Sequence, residues 1–225
     1  IYAICLQKKE QKQFYPKQIW NRCIVINNPF SVYNQNKNAN GIKSKHIICI
    51  GRLDFDIKCH DVAIKAFSIF HNVYGDFVLD IYGRCKSDSE LACKDKLLKL
   101  VRKLNLQNCV YFYGEVKNIH NLIIPSFACL HTSKKEGMPN SMIEAMLLGI
   151  PVISTRWAGI ESIIQNESNG FIVEQGDYSK IAENLLLLKN NPSLYNFISA
   201  SSYSVDVEKY KDENVFSKWD RIVYE

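Results

Sequence analysis

Residues 127–155 read FACLHTSKKEGMPNSMIEAMLLGIPVIST. An apolar run over 127–132 gives way to a polar, Gly- and Pro-containing stretch. An apolar stripe with helical spacing covers 141–148, Gly149 follows, and a second apolar run fills 151–155. The two runs have strand length. Gly149 sits where a helix ends on a left-handed residue. The segment therefore reads as strand, loop, helix, strand. A crossover of that length joins parallel strands.

The same alternation extends outward. Upstream, strands are predicted over 46–51 (HIICIG), 77–83 (FVLDIYG) and 110–114 (VYFYG). Helices are predicted over 59–73, where Ala63, Ala66, Phe67 and Phe70 share a stripe, over 88–104 and, briefly, over 118–124. Ser87-x-x-Glu90 has the pattern of a capping box. Downstream come a short helix over 159–165, a strand over 170–173, a helix over 177–189 and helical sequence to the end. The fold class expected is α/β: a Rossmann-like, doubly wound parallel sheet of about six strands with helices on both faces. Residues 45–198 form this domain. Residues 1–44, rich in Lys, Gln and Asn, stand outside the alternation, with a polar linker over 33–45, and residues 199–225 form an amphipathic tail.

Composition agrees with a globular chain. The 225 residues are 47% hydrophobic and 23% charged, with 28 basic against 23 acidic side chains and a net charge of +5. No apolar run approaches the ~18 residues of a membrane-spanning helix. The basic cluster Lys8-Lys9-Glu10-Gln11-Lys12 reads as a solvated helix face, with a membrane surface as the other reading. No aromatic RNA-binding motif or Cys/His finger points to nucleic acid. The eight cysteines include no C-x-x-C pair, and without a secretory leader they read as reduced thiols in a cytoplasm. The five histidines lack metal-ligand spacing and read as structural. Position 1 is Ile rather than Met, so the chain is expected to be part of a longer one.

Ligands of open α/β sheets bind beyond the carboxyl ends of the strands. Gly51-Arg52 and Lys58 follow the first predicted strand, Gly83-Arg84 the second, Gly114-Glu115 the third, 133–140 the fourth, and Arg156 the fifth. Cations and glycines thus gather on one rim. Arg52 or Lys58 alone reads as ordinary surface charge. Together, beside a helix start at Ser141 with free N–H groups, they suit a diphosphate. Gly137 allows close backbone approach. The turn GRLDFD excludes a G-x-G-x-x-G dinucleotide site, and no P-loop pattern exists. Glu136 and Glu144 are seven residues apart on this rim. Ser141-x-x-Glu144 also reads as a capping box, and Glu136 as an exposed loop acid.

Several stretches then resemble one family. They are GRLDFDIKCHDVAIKAF (51–67), LDIYG (79–83), VYFYG (110–114), SKKEGMPNSMIEAMLLGIPVIST (133–155) and ESIIQNESNGFIV (161–173). Residues 46–190 resemble the C-terminal, donor-binding domain of retaining GT-B glycosyltransferases of the group 1 (family 4) class, so the fold would be the C-terminal half of a GT-B enzyme. The resemblance implies that Arg52 and Lys58 hold the donor diphosphate, that Glu136 contacts the transferred sugar, and that Glu144 binds the ribose. It places the amides of Gly137, Met138, Ser141 and Met142, within the Gly137-Met138-Pro139-Asn140-Ser141-Met142 stretch, around sugar and phosphate. Gly51 and Gly83 would belong to the donor site, and Tyr113 and Gly114 would border the base. It implies a metal-independent, cofactor-free hexosyltransferase that uses a nucleotide-diphosphate sugar, with UDP favoured. The acceptor would be a glycan or lipid-linked sugar in the assembly of polysaccharide, lipopolysaccharide or capsule. It further implies an N-terminal acceptor domain, of which residues 1–26 resemble the last turn and strand. Asn27-Asn28-Pro29-Phe30 resembles the interdomain segment and 205–225 the crossover helix, which would expose Trp219. A cytoplasmic enzyme, with peripheral contact at the inner face of the membrane, is expected. Two other readings stand beside it: a non-catalytic nucleotide-sugar-binding fragment, and a sugar-nucleotide epimerase.

Overall fold

A computed structural model describes residues 4–6, 15–26, 44–117, 119–202 and 212–224. The β-branched and aromatic runs form the parallel strands β3 (His46–Ile50), β4 (Val78–Tyr82), β5 (Val110–Gly114), β6 (Ala128–His131), β7 (Val152–Thr155) and β8 (Phe171–Val173). They are preceded by β1 (Ile4–Leu6) and β2 (Cys23–Val25), which pair in parallel as a separate two-stranded sheet. Four strands, β4, β6, β7 and β8, start one residue later than predicted, whereas β3 and β5 start at the predicted residue. The large sheet has the order β5-β4-β3-β6-β7-β8, so the chain winds outward from β3 in one direction and from β6 in the other. That reversal is the topological switch point of a doubly wound sheet.

Helices α1 (His60–His71), α2 (Asp88–Lys103), α3 (His120–Ile123), α4 (Asn140–Leu147), α5 (Tyr178–Asn190), α6 (Pro192–Ser202) and α7 (Asp212–Tyr224) follow. Strand residues alternate between two cores. Ile47 and Cys49 join Phe67, Phe70, Leu97 and Leu185 on the α1, α2 and α5 face. Ile48 and Cys129 join Ile123, Met142, Met146 and Ile160 on the α3 and α4 face. Strands buried on both sides explain the unbroken apolar runs.

The caps behave as their residues dictate. The Ser87 hydroxyl accepts from the Glu90 amide, and the Glu90 carboxylate accepts from the Ser87 amide, which completes the predicted capping box. Gly149, at φ 70°, closes α4, and the Ile150 amide reaches back to the Ala145 carbonyl in a Schellman arrangement. Asn105, at φ 58°, does the same for α2 through Leu106 and Val101, without a glycine. The helix predicted over 159–165 is one 3-10 turn, Ile160–Ser162. The basic cluster at 8–12, the 27–30 segment and the linker up to 43 lie outside the described residues. In α7 Val215 is buried, whereas Phe216 and Trp219 are exposed, as expected for Trp219. Among the described residues, no helix is long and apolar enough to cross a membrane, and seven cysteines carry free thiols.

Candidate active site

The chain reversal between β3 and β6 sets the place beyond Ile50 and His131 where a doubly wound sheet has its ligand crevice. Four loops meet there. Gly51 donates its amide to the Tyr82 carbonyl, and Gly83 donates its own to the Gly114 carbonyl, both at 2.8 Å. A Cβ on Gly83 would lie 1.8 Å from the Gly51 carbonyl oxygen, so only glycine lets these two turns approach. Gly114 ends β5 at φ 75°. Tyr113 stacks on Tyr82 with ring centroids 4.9 Å apart and keeps an exposed edge.

The 51–59 loop is organised by Asp54. Its Oδ1 accepts the amides of Asp56 (3.1 Å) and Ile57 (2.9 Å), its carbonyl accepts that of Lys58, and its Oδ2 lies 3.2 Å from Arg52 Nη2. The Lys58 carbonyl in turn accepts the Thr132 hydroxyl at 2.8 Å, which ties Lys58 to the end of β6. His60, beneath the loop, is buried; that burial and the Lys58 charge push its pKa down to about 4, so it is neutral at pH 7.

Lys58 and Glu136 meet directly, with Nζ 2.6 Å from Oε1, and His131 Nε2 lies 3.0 Å from the same oxygen. Burial by itself would raise the Glu136 pKa. The hydrogen bond and charge of His131, with Lys58 and Ser133, outweigh burial and hold it down at about 2. Glu136 is thus a buried carboxylate rather than an exposed loop acid. Glu144 is half-buried, 3.8 Å from His120 Nε2. Burial raises its pKa, and the His120 charge opposes that rise.

Helix α4 departs from expectation at its start. It begins at Asn140, with Pro139 as N-cap and no side-chain cap. Glu144 therefore lies in the second turn, and Ser141 and Glu144 form no capping box. The Ser141 hydroxyl donates instead to the Ile50 carbonyl at 3.3 Å. The Met142 amide is engaged by the Pro139 carbonyl at 3.0 Å, which removes it from the expected set of ligand donors. The amides of Gly137, Met138 and Ser141 are not engaged by a backbone carbonyl among the described residues. They and the α4 dipole point the positive end of a helix at the crevice.

The rim cations Arg52, Lys58, Arg84 and Arg156 each have an acidic partner. Arg84 donates twice to Glu90, and Arg156 is clasped by Glu161 and Glu174, so both serve local acids. Arg52 and Lys58 remain beside the crevice with Glu136, Gly137, Ser141 and Glu144. His131 and His120 escaped the sequence reading because each sits in an apolar or amide-rich context without metal-ligand spacing. Asp54 was legible only as a turn residue.

A family profile described as "Glycosyl transferases group 1" matches residues 33–205, well over half of the chain. An uncharacterised glycosyltransferase of Haemophilus influenzae is 30% identical over 224 residues, covering 98% of this chain and 60% of that protein. The poly(ribitol-phosphate) α-N-acetylglucosaminyltransferase of Staphylococcus aureus is 29% identical over 131 residues, 58% of this chain and 27% of that one. The chain thus spans 60% of the first relative's length and about a quarter of the second's. HepE of Anabaena, crystallised with UDP and glucose, superimposes at TM-score 0.85 with 17% identity, over 98% of this chain and 62% of HepE, a likeness of fold. By the extent of the profile match, the chain belongs to the group 1 glycosyltransferase family.

Proposed function

We propose that the chain is the donor-binding part of a retaining glycosyltransferase. It would transfer a hexose from a UDP-sugar to a glycan or lipid-linked acceptor in cell-surface polysaccharide assembly. The observation that carries this reading is the Lys58–Glu136 pair on the loops that follow β3 and β6 at the sheet's switch point, with Arg52 on the Lys58 loop and the α4 N-terminus next along the chain. Two protein cations and a helix dipole take the place that a divalent ion would hold on the diphosphate, so the reaction proceeds without a metal. Similar proteins supply supporting precedents: HepE crystallised with UDP and glucose, and a poly(ribitol-phosphate) α-N-acetylglucosaminyltransferase.

In this reading the anomeric carbon–oxygen bond to the β-phosphate breaks through an oxocarbenium-like state. The acceptor oxygen bonds to the anomeric carbon on the face the diphosphate leaves, and the departing phosphate oxygen takes the acceptor's proton. Arg52 and Lys58 stabilise the charge that develops on the diphosphate. Glu136 accepts hydrogen bonds from sugar hydroxyls and Glu144 from the ribose. Tyr113 and Gly114 border the base. An N-terminal domain binds the acceptor and supplies proximity. The enzyme works in the cytoplasm, at the inner face of the membrane where its acceptor is held.

The test is product analysis of the full-length enzyme with an α-configured UDP-sugar and a glycan acceptor. An α-linked product formed with one UDP released per transfer supports the proposal. A β-linked product overturns retention. Conversion of UDP-sugar to an isomer without acceptor turnover favours the epimerase and overturns transfer.

A further inference from the structure

Two groups share one oxygen of Glu136. Lys58 Nζ is 2.6 Å from Oε1 and His131 Nε2 is 3.0 Å from it. The side chains of Glu136 and His131 are 8% and 4% exposed. An ionised carboxylate only accepts hydrogen bonds, so His131 Nε2 carries the hydrogen and donates it. The other ring nitrogen, Nδ1, lies 2.9 Å from Ser154 Oγ on β7, and the Trp157 ring packs edge-on at 6.3 Å. Strand β6 therefore presents a histidine that is fixed on both sides and aimed at the carboxylate from the core.

Lys58 faces two demands if it serves a diphosphate, and the inference rests on that reading. An ammonium has three donors but one charge. Drawing it toward a second anion uncovers a buried carboxylate, and an uncompensated buried carboxylate is strongly unfavourable. A Glu136 left with Lys58 and the Ser133 hydrogen bond would hold Nζ inward and oppose phosphate binding. We propose that His131 is a positioning residue for donor binding: it keeps Glu136 hydrogen-bonded from the core, so that Lys58 is released to serve the diphosphate. His131 itself does not touch the diphosphate. The Nε2–H donation persists whether the ring is neutral or charged, since only the Nδ1–Ser154 bond changes direction.

The experiment is calorimetric titration of the 225-residue chain with UDP, which lacks the sugar and so leaves Glu136 without a ligand contact. His131→Leu is expected to weaken UDP binding about tenfold, or ~1.4 kcal/mol. His131→Gln, whose amide reaches toward Glu136, recovers most of it. His131→Asn, too short to reach Glu136 yet able to bond Ser154, does not recover it, and the Asn and Gln pair carries the test should the Leu chain fail to fold. Adding Glu136→Gln to His131→Leu restores parental affinity, because no buried charge then competes for Lys58. UDP binding unchanged in His131→Asn and His131→Leu overturns the proposal. So does a loss that persists in the Glu136→Gln double variant, which marks a purely structural role. A parent chain that binds no UDP overturns the diphosphate reading, and this inference with it.

Discussion

Cys59 stands at φ 50°, ψ 46°, one residue after Lys58 and immediately before α1. The left-handed region costs an L-residue with a side chain about 1–2 kcal/mol, and glycine nothing comparable. Cys59 tolerates it because Asp54 has already fixed the loop and the thiol is buried. Cys59→Ala removes the buried sulfur and keeps the strain, whereas Cys59→Gly removes both. Urea unfolding is therefore expected to find the Gly variant more stable than the Ala variant by ~1 kcal/mol, the reverse of the usual order. An Ala variant at least as stable as Gly would show the turn to be unstrained. Nothing in the letters KCHD marked residue 59 as left-handed, because backbone sign follows from how a loop closes. The pairing of Glu136 with His131 was equally hidden. Their separation of five residues has no periodic meaning on a loop, and only the turn from β6 to α4 brings them together.

Elements were more legible than residues, and their caps explain why. Glu90 serves three partners at once: the amides of Lys86 and Ser87 and the Arg84 guanidinium. The Lys86 amide, then Ser87, then Arg84 hold its pKa down at about 2. A carboxylate whose folded pKa is depressed contributes stability that is fully present above the ordinary carboxylate range. That contribution is lost as pH falls from ~4.5 through 2. Glu90→Gln is expected to lower the melting temperature at pH 7. It should also flatten the decline of melting temperature between pH 4.5 and 2.5 relative to the parent. Parallel curves for parent and variant would mean that Glu90 is not held ionised by this cap. Ser87-x-x-Glu90 was readable because a capping box is local. Ser141-x-x-Glu144 matched the same pattern and formed no box: Pro139 starts α4 early, and the Ser141 hydroxyl is drawn across the crevice to Ile50. Tertiary hydrogen bonding overrode a local signal.

At the scale of the whole molecule, strand-helix alternation in the sequence is enough to define the sheet and its carboxyl-end rim. Loops from β3, β4, β5 and β6 converge there because the strands are parallel and the winding reverses between β3 and β6. Side-chain partners were not legible at that scale, since they depend on which acids lie within reach of each cation. Arg84 and Arg156, placed on the rim by the sequence, are paired with Glu90 and with Glu161 and Glu174. Arg52 and Lys58 also have acidic partners, Asp54 and Glu136, and the proposed function assigns these two to a diphosphate. The most direct test is calorimetric binding of UDP to the parent chain and to Arg52→Ala and Lys58→Ala, with circular dichroism confirming the fold. Each cation supplies charge-assisted hydrogen bonds of ~1.5–3 kcal/mol, so each variant is expected to bind UDP about 10- to 100-fold more weakly. Binding by both variants at parental affinity would contradict the assignment of this rim to a nucleotide diphosphate.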